Sequence, residues 1–164
     1  MITLKTLERT PRLAELRVTY KRGRRKKEAQ SEETPPVVKS PMKAAEYLRS
    51  LWDDDTIDLR EEFVVLCLDA SNTVLGWVKL HTGCIDSSQV DPRLVFGVAL
   101  KTASAAIVVA HNHPSGSVEP SEADRVMTKR LAEGAKLLGI RLLDHLIVNR
   151  SSLYSFASSG LLSG

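Results

Sequence analysis

Only two cysteines, Cys67 and Cys84, occur in the 164 residues. That is too few for a disulfide-built scaffold, and a reduced, cytoplasmic setting is expected. No apolar run approaches the roughly 20 residues that a membrane span needs. The N-terminus has no apolar stretch that reads as a signal peptide. Several catalytic signatures are also missing: a His-Glu-x-x-His helix, a Gly-x-x-x-x-Gly-Lys phosphate loop, and the His-x-Glu with a later Pro-Cys-x-x-Cys of zinc deaminases. No internal repeat is evident. What remains is ordinary for one globular domain, with 43% hydrophobic and 26% charged residues.

The net charge of +3 is an average over two unlike parts. Residues 1–40 hold 11 Lys and Arg against 5 Asp and Glu, and carry +6; residues 41–164 hold 12 against 15, and carry −3. The basic excess gathers at Lys21–Lys27, with a polar, proline-ended stretch behind it. Residues 21–36 therefore read as a flexible loop. Ahead of it, Ala14, Leu16, Val18 and Tyr20 alternate with polar residues, which predicts a half-buried strand. Two functions suit the run: a phosphate-contacting nucleic-acid arm or a solvated loop. No aromatics are interleaved with it to stack on bases. Residues 1–40 are thus expected to be a basic strand or hairpin extension, and residues 41–164 the folded domain.

The second part alternates helical and strand patterns. Ser40-Pro41 opens a helix through Met42, Ala45, Leu48 and Leu51. Asp53–Asp55 reads as loop chemistry, since it lacks calcium-loop spacing. Phe63–Leu68 is apolar throughout, as a strand buried on both faces would be. A turn at 70–73 leads to a strand at Val74–Leu80, which predicts a hairpin. A helix follows Pro92 to Lys101. Ala105–Ala110 is a second buried strand, and His111–Gly116 follows it as a loop. A helix over Glu122–Leu138 is stopped by Gly139. Strands are expected at Arg141–Val148 and Leu153–Phe156.

The chemistry concentrates at the end of the second buried strand. His111 and His113 are two apart, so in an extended chain both imidazoles point to one side. Two histidines with a third ligand suit a hydrolytic zinc that keeps one position open. Asp124, in the first turn of the long helix, is the candidate third ligand. Ser121-x-x-Asp124 also fits an N-capping box, and the two readings are compatible. An adjacent His-Asn-His is not the arrangement of HNH endonucleases, whose residues are spread over a hairpin and helix.

His111, His113, Ser121 and Asp124 together spell His-x-His, seven residues, Ser-x-x-Asp. This resembles the JAB/MPN metallo-domains, also called JAMM proteins. His111–Gly116, Pro120-Ser121, Asp124, Pro92-Arg93 and Leu143–Val148 resemble their RadC-like branch in particular, over residues 41–162. The resemblance implies an α/β (α+β) fold, a mixed β-sheet flanked by helices with the zinc site at a strand end. It implies one Zn2+ held by His111, His113 and Asp124. It further implies a metallo-hydrolase acting on a peptide or isopeptide amide bond. In that chemistry a glutamate from an earlier strand is the general base, and Ser121 helps stabilise the tetrahedral intermediate. Arg60-Glu61-Glu62-Phe63 is similar to the Arg-Glu-x-Phe of RadC-like proteins, which favours Glu61. Glu62 is the alternative and would face the other side of the strand. A structural or supporting role is expected for His145. The other class of function is a non-catalytic DNA-repair or DNA-associated module, resting on Lys21–Lys27.

Overall fold

The computed structural model describes residues 36–83 and 90–162. The strand expected at 13–20, the Lys21–Lys27 run and all of the loop expected at 21–36 except Pro36 lie outside the described residues. Among the described residues, three helices and five strands follow in the order α1 (Pro41–Arg49), β1 (Glu61–Leu68), β2 (Val74–Gly83), α2 (Pro92–Lys101), β3 (Ala106–Asn112), α3 (Glu122–Leu138), β4 (Arg141–Val148) and β5 (Leu153–Ser155). No described helix is long and apolar enough to cross a membrane.

Local chemistry sets most of the boundaries. Ser40 caps α1, its side chain accepting from the Lys43 N–H at 3.2 Å, with Pro41 in the first turn. Asp91 does the same for α2 by accepting from the Arg93 N–H at 2.9 Å. Gly139 ends α3 in a left-handed conformation, φ 66°, which a residue without Cβ adopts freely.

The strands form one mixed sheet in the order β2-β1-β3-β4-β5. β1 pairs antiparallel with β2 and β3, β4 pairs antiparallel with β5, and β3 and β4 run parallel. A parallel pair needs a long crossover, and α3 provides it. Helices cover both faces, which explains why β1 and β3 read as unbroken apolar runs. One face packs Val64, Leu66, Val108 and Ala110 against Leu48 of α1 and against Trp52 and Ile57. The other packs Phe63, Val65, Ile107 and Val109 against α2 and α3 through Phe96, Met127 and Leu131.

β3 runs further than its apolar residues suggest. It continues through His111 and Asn112, because His111 sits in register between Phe63 of β1 and Ile147 of β4. Ladder hydrogen bonds on both sides carry the strand past the point where hydrophobicity stops. The side-chain period of two then sorts the site. Glu61 and His111 fall on the α2/α3 face; Glu62 and Asn112 fall on the α1 face.

Candidate metal centre

The β3 end and the start of α3 bring three of the expected residues together. His111, His113 and Asp124 each offer one ligand atom, and these atoms lie within 4.8 Å of one another. The two imidazole Nε2 atoms are 3.0 Å apart. Asp124 places Oδ1 3.1 Å from His111 Nε2 and Oδ2 3.5 Å from His113 Nε2. His111 is buried beneath the cleft, with the Phe63 ring stacked near it at 6.2 Å. His113 and Asp124 are partly open to solvent.

Asp124 serves the helix and the cluster at once. Its Oδ2 accepts from the Ser121 N–H at 2.7 Å and from the Ser121 hydroxyl at 2.6 Å, while Ser121 Oγ accepts from the Asp124 N–H at 3.2 Å. This is a complete capping box. It holds the carboxylate in one orientation at the positive end of α3. Burial opposes its ionisation, yet the contacts with His111 and His113 prevail and hold its carboxyl well below the usual carboxylate range. The same contact with Asp124 raises the His113 imidazole above its ordinary value, against the cost of burial.

The donor set suits a borderline metal such as zinc: two imidazole nitrogens and one carboxylate oxygen, converging from one side. His113 is also prepared for ligation. Its Nδ1 lies 3.1 Å from the Ser117 carbonyl, which can only accept, so Nδ1 carries the proton. Nε2 is then the atom with the free lone pair, and it faces His111 and Asp124.

Glu61 and Ser121 both line the cleft in front of this cluster, a cavity of about 180 Å³ with Phe63 and Met127 among its walls. Glu62 is elsewhere. It is fully buried on the α1 face, where its carboxylate meets Lys79 Nζ at 2.6 Å and Arg60 Nε at 3.0 Å. A register shift in β2 sets Lys79 opposite Val64 and so brings it to that face.

Asn112 has a task that sequence spacing did not reveal. Its Oδ1 accepts from Trp52 Nε1 and from the Glu62 N–H, both at 2.9 Å. Its Nδ2 donates to the carbonyls of Ile57 and Arg60. The residue between the two histidines therefore points away from them and fastens the segment that leads into β1. Thr128 was also invisible. It sits one helical turn beyond Asp124, and its Oγ1 lies 2.6 Å from His145 Nδ1. The i, i+4 spacing from Asp124 was the available clue.

The mixed sheet, covered by helices on both faces and ending in this cluster, is that of a JAB domain, α+β in class. Within that class the chain belongs to the RadC-like JAB domain family, whose sequence model matches residues 38–161. It is 39% identical over 149 residues to a UPF0758 protein of Aeromonas hydrophila, an alignment covering 91% of this chain and 65% of that one. It is 50% identical over 103 residues to the UPF0758 protein YeeS of Escherichia coli K12, covering 63% of this chain and 70% of YeeS. A second E. coli relative, YkfG, is 48% identical over 103 residues, covering 63% of this chain and 65% of YkfG. The chain thus spans about two thirds or less of several of the relatives it matches.

Proposed function

We propose that this chain is a zinc-dependent hydrolase of the JAMM type, acting on a peptide or isopeptide amide bond. The observation that carries the reading is the convergence of His111, His113 and Asp124 on a cleft that Glu61 also lines. These three residues would hold one Zn2+. When bound, zinc supplies Lewis acidity, which polarises a carbonyl and makes a nearby water more acidic.

The chain's own groups do the rest. Glu61 takes a proton from the attacking water and returns it to the departing amine, as general base and then general acid. Strand parity aims Glu61 into the cleft and withholds Glu62, whose carboxylate is committed to Lys79 and Arg60. Ser121 stands beside the developing oxyanion. Its hydroxyl can turn towards that charge because the Ser121 N–H, at 2.7 Å, goes on holding Asp124 Oδ2. Phe63 and Met127 keep one wall of the cleft dry, which strengthens the electrostatic contacts inside. The buried free thiol of Cys67 fits a reducing, cytoplasmic compartment.

The test uses the full chain, its zinc content, and a panel of fluorogenic peptides and isopeptide-linked conjugates. One zinc per chain is expected, with hydrolysis that a chelator abolishes. Glu61→Gln should keep the zinc and lower turnover about 10²–10⁴-fold, the usual worth of a general base. A wild type that takes up no zinc at neutral pH, or a Glu61→Gln variant with full turnover, sinks the reading.

A further inference from the structure

Beneath His111 lies a second layer of polar groups that none of the roles above uses. His145 of β4 is buried at 1% exposure. Its Nε2 is 2.9 Å from His111 Nδ1, and its Nδ1 is 2.6 Å from Thr128 Oγ1. Thr128 Oγ1 is in turn 2.6 Å from the backbone carbonyl of Asp124. The Phe156 ring stacks on His145 at 5.0 Å, and Phe63 packs at 5.9 Å, so the imidazole is held between two aromatic walls.

The proton positions in this chain follow from what each atom can do. A carbonyl oxygen only accepts. Two oxygens 2.6 Å apart with no proton between them repel, so the single Thr128 proton lies on the line to Asp124 O. Thr128 Oγ1 can then only accept from His145, which places a proton on His145 Nδ1. His145 is buried against the Phe156 and Phe63 rings, and its two nitrogens meet a hydroxyl and a second imidazole, so the ring carries the single proton on Nδ1 and its Nε2 carries a lone pair. That lone pair must receive a proton from His111 Nδ1. His111 Nε2 is left unprotonated, and it is the atom facing His113 and Asp124. If the Thr128 proton pointed the other way, every link would reverse and His111 would present an N–H to the cluster, where a metal could not bind.

We propose that Thr128 and His145 are positioning residues that fix His111 as its Nδ1–H tautomer, so that Nε2 is the ligating atom of the metal centre. The inference rests on the metal-centre reading above. It also ties α3 to the site twice. Asp124 supplies a ligand, and its own backbone carbonyl anchors, through Thr128, the chain that sets the tautomer of a ligand on β3. A partner beyond a ligating histidine is what metal sites usually require; here a second histidine stands where a carboxylate or carbonyl is more common.

The experiment measures two things on the full chain: Zn2+ affinity by competition with a chromophoric chelator, and histidine ring 15N shifts at pH 8 with and without zinc. Thr128→Val removes the hydroxyl at nearly constant volume, and Thr128→Ser keeps it. His145→Gln keeps an acceptor for His111 Nδ1–H, and His145→Leu does not. The expected result is that Thr128→Val and His145→Leu weaken zinc binding about 10–100-fold, the usual cost of losing such a partner. In Thr128→Val the zinc-free His111 ring gains Nε2–H character, and Thr128→Ser and His145→Gln recover both readouts. Should His145→Leu fail to fold, the Thr128 pair decides alone. Wild-type zinc affinity in Thr128→Val, or weakened affinity with an unchanged His111 tautomer, overturns the proposal. A wild type whose zinc-free spectrum shows His111 as Nδ1–H but which binds no zinc overturns the metal-centre reading and the ligand role proposed here, leaving only the tautomer assignment standing.

Discussion

The side chain of Asn112 accepts a hydrogen bond from the backbone N–H of Glu62 at 2.9 Å, across 50 residues of sequence. The same oxygen accepts from Trp52, and the amide nitrogen donates to Ile57 and Arg60. All the hydrogen-bonding capacity of one buried amide is spent on the segment that delivers Glu61 to the cleft. Asn112→Ala would leave these partners unpaired. An unfolding free energy lower by about 3 kcal/mol is expected, since each stranded buried group costs about 1–3 kcal/mol. Urea denaturation checks it; an unchanged midpoint would mean that the loop is held by other contacts.

Glu61 and Glu62 should separate activity from stability. Glu62→Gln removes the charge shared by Lys79 and Arg60 within a buried site. A loss of about 2 kcal/mol is expected, discounted from the usual 3–5 because both cations are partly exposed. Zinc content should stay at the wild-type level. Glu61→Gln should show the opposite pattern, with near wild-type denaturation and lost turnover. Matching profiles for the two variants would contradict the division of roles.

Asp144 gives a pH-dependent test. Burial raises its carboxyl above the ordinary value of 3.8, against hydrogen bonds from Ser155 and Ala157. The folded state therefore holds this proton more tightly than the unfolded one. Wild-type stability must fall, through this group, as pH rises from 3.8 to the raised native value. Asparagine does not titrate. The Tm of Asp144→Asn relative to wild type should thus be more favourable at pH 7 than at pH 4. A constant difference across that range would show that burial does not govern this carboxyl.

Gly134 lies inside α3, where alanine would ordinarily add about 1 kcal/mol of helix propensity. Here a Cβ would stand 2.5 Å from Phe96 Cε2. Overpacking of this kind costs about 1–3 kcal/mol, so Gly134→Ala should be net destabilising by about 1 kcal/mol. A higher Tm would show that the Phe96 ring yields at little cost.

Nucleic-acid contact through Lys21–Lys27 is a separate proposal, outside the described residues. It predicts DNA binding at low salt that weakens steeply as salt rises and disappears when residues 1–30 are deleted. Binding that survives the deletion would move the contact to the folded domain, and full-length protein that binds no DNA at low salt removes the role.

Much of this was readable along the chain because it depends on near neighbours. The α1, α2 and α3 starts follow from Ser40, Asp91 and Ser121, whose caps act within three residues. The β1 and β3 runs follow from continuous hydrophobicity, and the JAB family from the spacing of His111, His113, Ser121 and Asp124. The rest was hidden by distance. His111 and Asn112 looked like the start of a loop because polar residues end an apolar run. They are strand because His111 pairs with both β1 and β4, and Asn112 continues the ladder with Val148 of β4. Ser121 and Asp124 read as a cap that could also serve a ligand site; the division of labour needed the structure, with Asp124 Oδ2 on the cap and Oδ1 beside His111.

The sequence by itself determined which residues could hold a metal and the two-residue step that sorts neighbouring side chains onto opposite faces. Only the tertiary structure decided which face was which. Register across β1, β3 and β4 put Glu61 with the histidines, sent Glu62 to Lys79, and set His145 under His111. Local periodicity fixes relative orientation within a strand. Which side meets which neighbour is fixed only when strands far apart in sequence are paired and both faces are buried.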